Sequence, residues 1–355
     1  MTAPLLSVII PVYARRDELT RLLNSLAAQS PRSGSMEVVV VENREMLNRQ
    51  WLSRADFPFP VRHEFAAEGN QSLCRNLGAE VCAGDVLLFV DSDIEFAAGA
   101  LAVLRDRSLD DPERIVLADV LPLPGRVRSL GTYLYDVPSF FREYRRRARL
   151  GALDFRAFVS CGFAMSRSAF RAVGGFDPGF THYGYEDVEF ALRAQRSGVG
   201  FALCAARAFH HKALGPDSLL RRFTDLGHSA VHLTRCIPDV EDIMPVGVRA
   251  VRDGELSFPD DFDIASTVAA ARAVERELDL ARVGQGRVSA RELFVDGREL
   301  YRRIALFGRF TGIRAELSPE PFDDRRAVRC NSVPTSIGGS TNAAYAMPSA
   351  SPDPS

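Results

Sequence analysis

Continuous apolar runs bounded by polar or proline positions punctuate this chain. Leu6-Ser7-Val8-Ile9-Ile10-Pro11-Val12 has the pattern of a buried strand, and Leu19, Leu22, Leu23 and Leu26 then share one helical face. Val38 to Val41 is a second such run, stopping at the polar pair Glu42-Asn43. Two runs of this kind joined by a helix predict a parallel βαβ unit. A further unit follows. Leu73, Leu77 and Val81 fall on one helical face, Gly84 marks its end, and Val86 to Val90 is another buried strand leading into Asp91-Ser92-Asp93.

Further strands are expected over 115–120, 158–165 and 201–209. A loop carrying Gly174-Gly175-Phe176-Asp177 and a helix with Val188, Ala191, Leu192 and Gln195 on one face lie between the last two. The stretch from Thr132 to Arg149 lacks periodicity and reads as loop or short helices. Beyond Met244 the pattern turns helical, with Ile264, Val268, Ala271, Val274 and Leu278 on one face and Leu293, Leu300, Ile304 and Phe307 on another. From Arg325 onward the chain is poor in large apolar residues and is expected to be disordered. The division predicted is therefore 1–244 as an α/β domain, 245–324 as a helical extension and 325–355 as a tail.

Composition narrows the chemistry mainly by exclusion. The 355 residues are 46% hydrophobic, enough for a substantial core, and the formal charge of -2 calls for neither nucleic acid nor an acidic lipid surface. Six cysteines without a CxxC pair argue against a zinc knuckle or a disulfide framework and are read as reduced thiols. With no leader-like or membrane-length apolar segment, a cytoplasmic protein is expected. The arginines at 142, 145, 146, 147 and 149 form a basic cluster that could meet an anionic acceptor or a lipid surface, with a solvated face as the simpler explanation.

Four segments carry candidate chemistry. Carboxylates at Asp91 and Asp93, where a parallel strand ends, sit at the edge of the sheet that open α/β folds use for ligands. One can approach a ribose hydroxyl and the other a divalent cation that neutralises a diphosphate. Gly184-Tyr185-Glu186-Asp187 opens a helix, where acids are favoured by the dipole anyway; either Glu186 or Asp187 could also accept a hydroxyl proton. His210-His211 follows an apolar strand, and one imidazole joining Asp93 makes a mixed N/O cation site. Arg75-Asn76 lies on the helix before the Asp-x-Asp strand and could face the same crevice.

Together these segments resemble a family 2 glycosyltransferase with the GT-A fold, a Rossmann-like mixed sheet that binds nucleotide-diphospho-sugars. The resemblance rests on Ser7 to Tyr13, on 69–78 (GNQSLCRNLG), on Phe89-Val90-Asp91-Ser92-Asp93, and on Gly174-Gly175-Phe176-Asp177 leading to Glu186-Asp187-Val188-Glu189-Phe190. It implies that Pro11, Val12, Tyr13 and Glu42 line a uracil and ribose pocket, that Arg75 and Asn76 lie near the diphosphate, and that Asp91 approaches the ribose and Asp93 the metal, Mn2+ or Mg2+. The later half is similar to the galactosyltransferase and chondroitin-polymerase segment. That implies Asp187 as base, with Glu186 beside it, and His210 as metal ligand with His211 as rival.

Two departures stand out: Glu42 replaces the family's usual aspartate, and Tyr185 a common tryptophan. Tyr183 and Tyr185, with the aromatics of the 133–144 stretch, are candidate acceptor contacts. The implied reaction is inverting, metal-dependent transfer of a hexosyl group from a nucleotide-sugar, taken as a UDP-sugar, to a hydroxyl of a natural-product or cyclitol-type molecule or a cell-envelope glycan. A catalytically silent nucleotide-sugar-binding scaffold is the alternative.

Overall fold

The computed structural model describes residues 6–13, 15–29, 36–43, 49–67, 70–123, 129–132, 134, 143–149, 151, 153–211, 214–244, 246–282 and 290–317. Eight strands form one sheet: β1 (Leu6–Val12), β2 (Met36–Asn43), β3 (Val61–Ala66), β4 (Val86–Val90), β5 (Ile94–Phe96), β6 (Arg114–Pro122), β7 (Gly162–Ser166) and β8 (Gly200–His210). Their order across the sheet is β3-β2-β1-β4-β7-β6-β8-β5. The half from β3 to β4 is parallel, β7 runs antiparallel to both β4 and β6, and β5 antiparallel to β8. Helices cover both faces: α1 (Arg16–Ala27), α2 (Arg49–Leu52), α3 (Gln71–Val81), α4 (Ala100–Asp110), α5 (Glu143–Arg149), α6 (Arg167–Val173), α7 (Glu186–Arg196), α8 (Pro216–Cys236), α9 (Val240–Ile243), α10 (Val248–Arg252), α11 (Ile264–Arg282) and α12 (Ala290–Leu317).

The apolar runs sort by alternation into two cores. Ile9, Val39, Val41, Leu87 and Phe89 face one layer, while Val8, Ile10, Val38, Val40, Leu88 and Val90 face the other. A strand covered on both faces is apolar at every position, which is why these segments show no polar alternation. Each such side chain contributes about 1.5–3 kcal/mol relative to exposure. The first layer includes stacked phenylalanines, among them Phe176 and Phe190 with ring centroids 4.3 Å apart.

Three expectations are corrected. The strand expected over 158–165 begins only at Gly162, because β4 ends at Val90, the partner of Gly162, and beyond that pair the contact reduces to the Asp91 N–H donating to the Cys161 carbonyl at 3.2 Å. Helix α3 buries Cys74, Arg75, Gly78 and Ala79, leaving Leu73, Leu77 and Val81 only half-buried. It also ends at Val81, before Gly84, whose N–H instead donates to Ser7 Oγ at 2.8 Å. Gly78 sets this orientation: a Cβ there would lie 2.4 Å from Ile9 Cγ2, so α3 sits directly on β1.

Helices α11 and α12 pack on α8 through a third apolar cluster that includes Leu219, Ala271, Tyr301 and Ile304. Residues 318–355, and with them the expected tail, lie outside the described residues. No helix of the described residues is long and apolar enough to cross a membrane, and the described cysteines are free.

Candidate active site

Parallel strands β1 and β4 deliver Pro11-Val12-Tyr13 and Asp91-Ser92-Asp93 side by side at the carboxyl edge of the sheet, where the order of strands reverses. A cleft of about 860 Å³ opens there. Its lining brings together Pro11, Val12, Tyr13, Asp91, Asp93 and His210 with Tyr183, Tyr185, Glu186 and Asp187.

Strand pairing sends the two histidines to different faces. Ile94 of β5 lies opposite His210 of β8, and the His211 N–H donates to the Asp93 carbonyl at 2.9 Å. Neighbouring side chains then point to opposite faces. His210 Nε2 lies 3.4 Å from Asp93 Oδ1, whereas His211 Nε2 contacts Glu95 Oε2 at 2.7 Å, outside the cleft lining. Asp93 Oδ2 also lies 3.7 Å from Arg15 NH1, a cleft residue that the sequence motifs do not single out.

Beneath the acids lies Arg75, 1% exposed. Its guanidinium donates from NH1 to Glu186 Oε1 and from NH2 to Asp91 Oδ1, both at 3.1 Å, and stacks 5.2 Å from the Phe176 ring centroid. One buried cation thereby ties α3, the end of β4 and the start of α7 together. Helix α7 starts under backbone constraint: Gly184 has φ 92° and Tyr185 φ 65°, the latter the one positive-φ non-glycine among the described residues. A left-handed tyrosine costs about 1–3 kcal/mol, which the surrounding contacts must offset. The effect is to aim Glu186 inward while part of Asp187 reaches the cleft.

The two acids are therefore unequal. Glu186 Oε1 is held by Arg75, while burial and the neighbouring Glu186 carboxylate push the Asp187 carboxyl up to about 7. The Cys161 thiol, also on the cleft, is driven well above its ordinary value by burial and by Asp91, Asp93 and Asp187.

Glu42, Arg75 and Asn76 are not part of the cleft lining. Glu42 is fully buried with Oε2 2.8 Å from His63 Nε2, and alternation turns its neighbour Asn43 to the cleft instead. Asn76 uses both ends of its amide on Phe176, donating to its carbonyl at 2.8 Å and accepting its N–H at 2.9 Å. It braces the 174–176 turn. Arg222, Phe223 and Arg309 line the cleft from α8 and α12, elements without an assigned role in the sequence motifs. Tyr133, Tyr135, Phe140, Phe141 and the Tyr144 side chain lie outside the described residues.

An Asp-x-Asp turn at the carboxyl edge of a mixed sheet, sharing one cleft with the Glu186-Asp187 pair, fits a GT-A glycosyltransferase fold. Over just under half its length the chain is similar to the family 2 glycosyltransferases: residues 7–174 match the model described as glycosyl transferase family 2, and residues 150–213 that described as the N-terminal domain of galactosyltransferase.

Validoxylamine A glucosyltransferase of Streptomyces hygroscopicus subsp. jinggangensis is 26% identical over 227 residues, 55% of this chain and 52% of that protein. Human polypeptide N-acetylgalactosaminyltransferase 10 is 28% identical over 216 residues, 56% of this chain and 36% of that protein. The chain thus spans about half or less of these relatives' length. Among solved structures, a Pyrobaculum calidifontis mannosyltransferase in complex with GDP-Man and Mn2+ aligns over 89% of this chain and 88% of its own at 17% identity and TM-score 0.48.

Proposed function

We propose that the chain transfers a hexosyl group from a nucleotide-diphosphate sugar, taken to be a UDP-sugar, to an acceptor hydroxyl with inversion. The observation that carries this reading is the pairing, across one cleft, of the Asp93–His210 contact with an Asp187 carboxyl pushed up to about 7. A group poised there is a proton acceptor near neutral pH.

Pro11, Val12 and Tyr13, with Asn43, form the nucleoside wall, and Asp91, oriented by Arg75, presents a carboxylate to the ribose. Asp93 and His210 would hold Mn2+ or Mg2+. Their oxygen and nitrogen, 3.4 Å apart, would suit a divalent cation as a mixed O/N ligand pair. When bound, that cation supplies positive charge against the diphosphate. Asp187 takes the acceptor proton as the acceptor oxygen bonds to the anomeric carbon and the bond from that carbon to the diphosphate oxygen breaks. Glu186, occupied by Arg75, positions and tunes Asp187.

Tyr183 and Tyr185 offer ring faces to the acceptor, a role we extend to a soluble natural-product or cyclitol-type molecule, as in the name of the Streptomyces relative, or to a glycan. Residues 1–244 are taken as the transferase unit, buttressed by the helices of 245–324. The test is calorimetric binding of UDP with Mn2+ and with EDTA, followed by turnover of UDP-sugars. Metal-dependent binding with turnover supports the reading, binding without turnover points to a silent scaffold, and no UDP binding overturns the donor assignment.

A further inference from the structure

Away from the cleft floor, the loop between α6 and α7 meets α8 at a trio of side chains with no part in the proposed reaction. Asp177 Oδ2 lies 3.0 Å from His232 Nε2 and 3.4 Å from Cys236 Sγ, and Cys236 Sγ lies 3.4 Å from His232 Nε2. Three potential ligand atoms, one oxygen, one nitrogen and one sulfur, therefore form a near-equilateral triangle.

Hydrogen bonding satisfies Asp177 Oδ2, which can accept from both Cys236 and His232, but leaves the 3.4 Å edge between Cys236 Sγ and His232 Nε2 without a proton of its own. A single ring nitrogen carries either one proton or one lone pair, so His232 Nε2 cannot serve both partners with full bonds. A cation above the triangle serves all three. With zinc bond lengths of about 2.0–2.3 Å, a tetrahedral ion separates its oxygen and nitrogen ligands by about 3.3 Å and its sulfur from either by about 3.5 Å. The observed edges are within a few tenths of an ångström of that.

The surroundings are also arranged for it. His232 and Cys236 sit four residues apart, on one face of α8. The Gly179 N–H donates to Asp177 Oδ1 at 2.8 Å, which leaves Oδ2 turned to the trio. Gly179 also keeps the space open, since a Cβ there would lie 2.5 Å from His232 Nε2.

We infer that Asp177, His232 and Cys236 form a zinc site that clamps the loop carrying Tyr183 and Tyr185 to α8. Thiolate and imidazole ligands select zinc over magnesium, and binding replaces the thiol proton with the metal. The fourth position is left to water or an added ligand. The site is separate from Asp93 and His210 and does not depend on the transferase reading.

The test uses the full chain, stripped with EDTA and titrated with Co2+ as a spectroscopic stand-in for zinc. Expected is a saturable thiolate-to-cobalt charge-transfer band that Zn2+ displaces. It should be lost in Cys236→Ser and His232→Ala and kept in Asp93→Ala, which alters only the donor site. On the unmutated protein, excess Zn2+ should slow alkylation of Cys236, followed by peptide mass, at least tenfold. A wild-type protein without the thiolate band, a band that survives Cys236→Ser, or an alkylation rate indifferent to zinc overturns the proposal.

Discussion

Arg75 and Glu186, 111 residues apart in sequence, meet at 3.1 Å below the surface of the molecule. The contact fixes the start of α7 against α3, and with it the orientation of Asp187. Removing one member of a buried pair strands the other's charge and costs about 3–5 kcal/mol. Arg75→Met should therefore lower the urea midpoint markedly. Because the guanidinium also lowers the proton affinity of Asp187, any residual transfer should have its acidic limb displaced to higher pH. A variant as stable as the parent, with the same pH profile, would show that the pair neither braces the fold nor tunes the acid.

Transfer itself should report Asp187. A base that is protonated below about 7 makes kcat/KM climb roughly tenfold per pH unit on the acid side and level off above that value. Asp187→Asn should reduce kcat by about 100- to 10,000-fold while leaving UDP affinity unchanged. Calorimetry and initial rates on the same preparation check both halves, and normal turnover in the variant would remove Asp187 from the role.

The same carboxyl has a stability signature of the opposite kind to an ordinary ion-paired aspartate. Its folded value, about 7, lies above the unfolded value of 3.8, so between the two the folded state holds a proton that the unfolded state has lost. Stability from this group is therefore full below the unfolded value and is lost as pH rises through the folded one. Asp187→Asn should stabilise the ligand-free protein relative to the parent above pH 7 and lose that advantage below pH 4. Melting curves across this range test the sign.

What could be read from the sequence divides along physical lines. Strands β1, β2 and β4 were legible because burial on both faces leaves unbroken apolar runs, and the acids at 91, 93, 186 and 187 were legible as polar breaks at element ends. Strand β5, only three residues long, carries too little pattern, and β3 has no fully buried position. Arg75, expected near the diphosphate from the family resemblance, lies instead 1% exposed under the acids, a placement that helical pattern does not signal because a fully buried cation is rare. Helix α8 escaped because its buried face mixes leucines with Gly227, Ser229 and Ala230. His210 and His211 could not be separated until strand pairing at Ile94 set the register.

That register yields a direct comparison of the two histidines. Asp93→Ala and His210→Ala should each weaken Mn2+-dependent UDP binding, whereas His211→Ala, whose side chain contacts Glu95, should leave it unchanged. EDTA should reduce the wild type to the level of the first two variants. A His211→Ala protein that loses metal-dependent binding while His210→Ala retains it would reverse the assignment.

The C-terminal helix offers a way to disturb the cleft without touching the acids. Helices α8 and α12 meet backbone to backbone at Gly227, Gly308 and Gly312, and a Cβ on Gly312 would lie 2.1 Å from the Thr224 carbonyl oxygen and 2.9 Å from the His228 nitrogen. Rigid backbone cannot yield as a side chain would, so Gly312→Ala must push the helices apart, at about 1–3 kcal/mol for overpacking of this kind. Arg309 of α12 and Arg222 and Phe223 of α8 line the cleft, and they move with their helices. The variant should therefore melt earlier and show a raised KM for acceptor while UDP binding is preserved. Equal losses in donor and acceptor would mean that α12 supports the whole sheet edge, not the acceptor side alone.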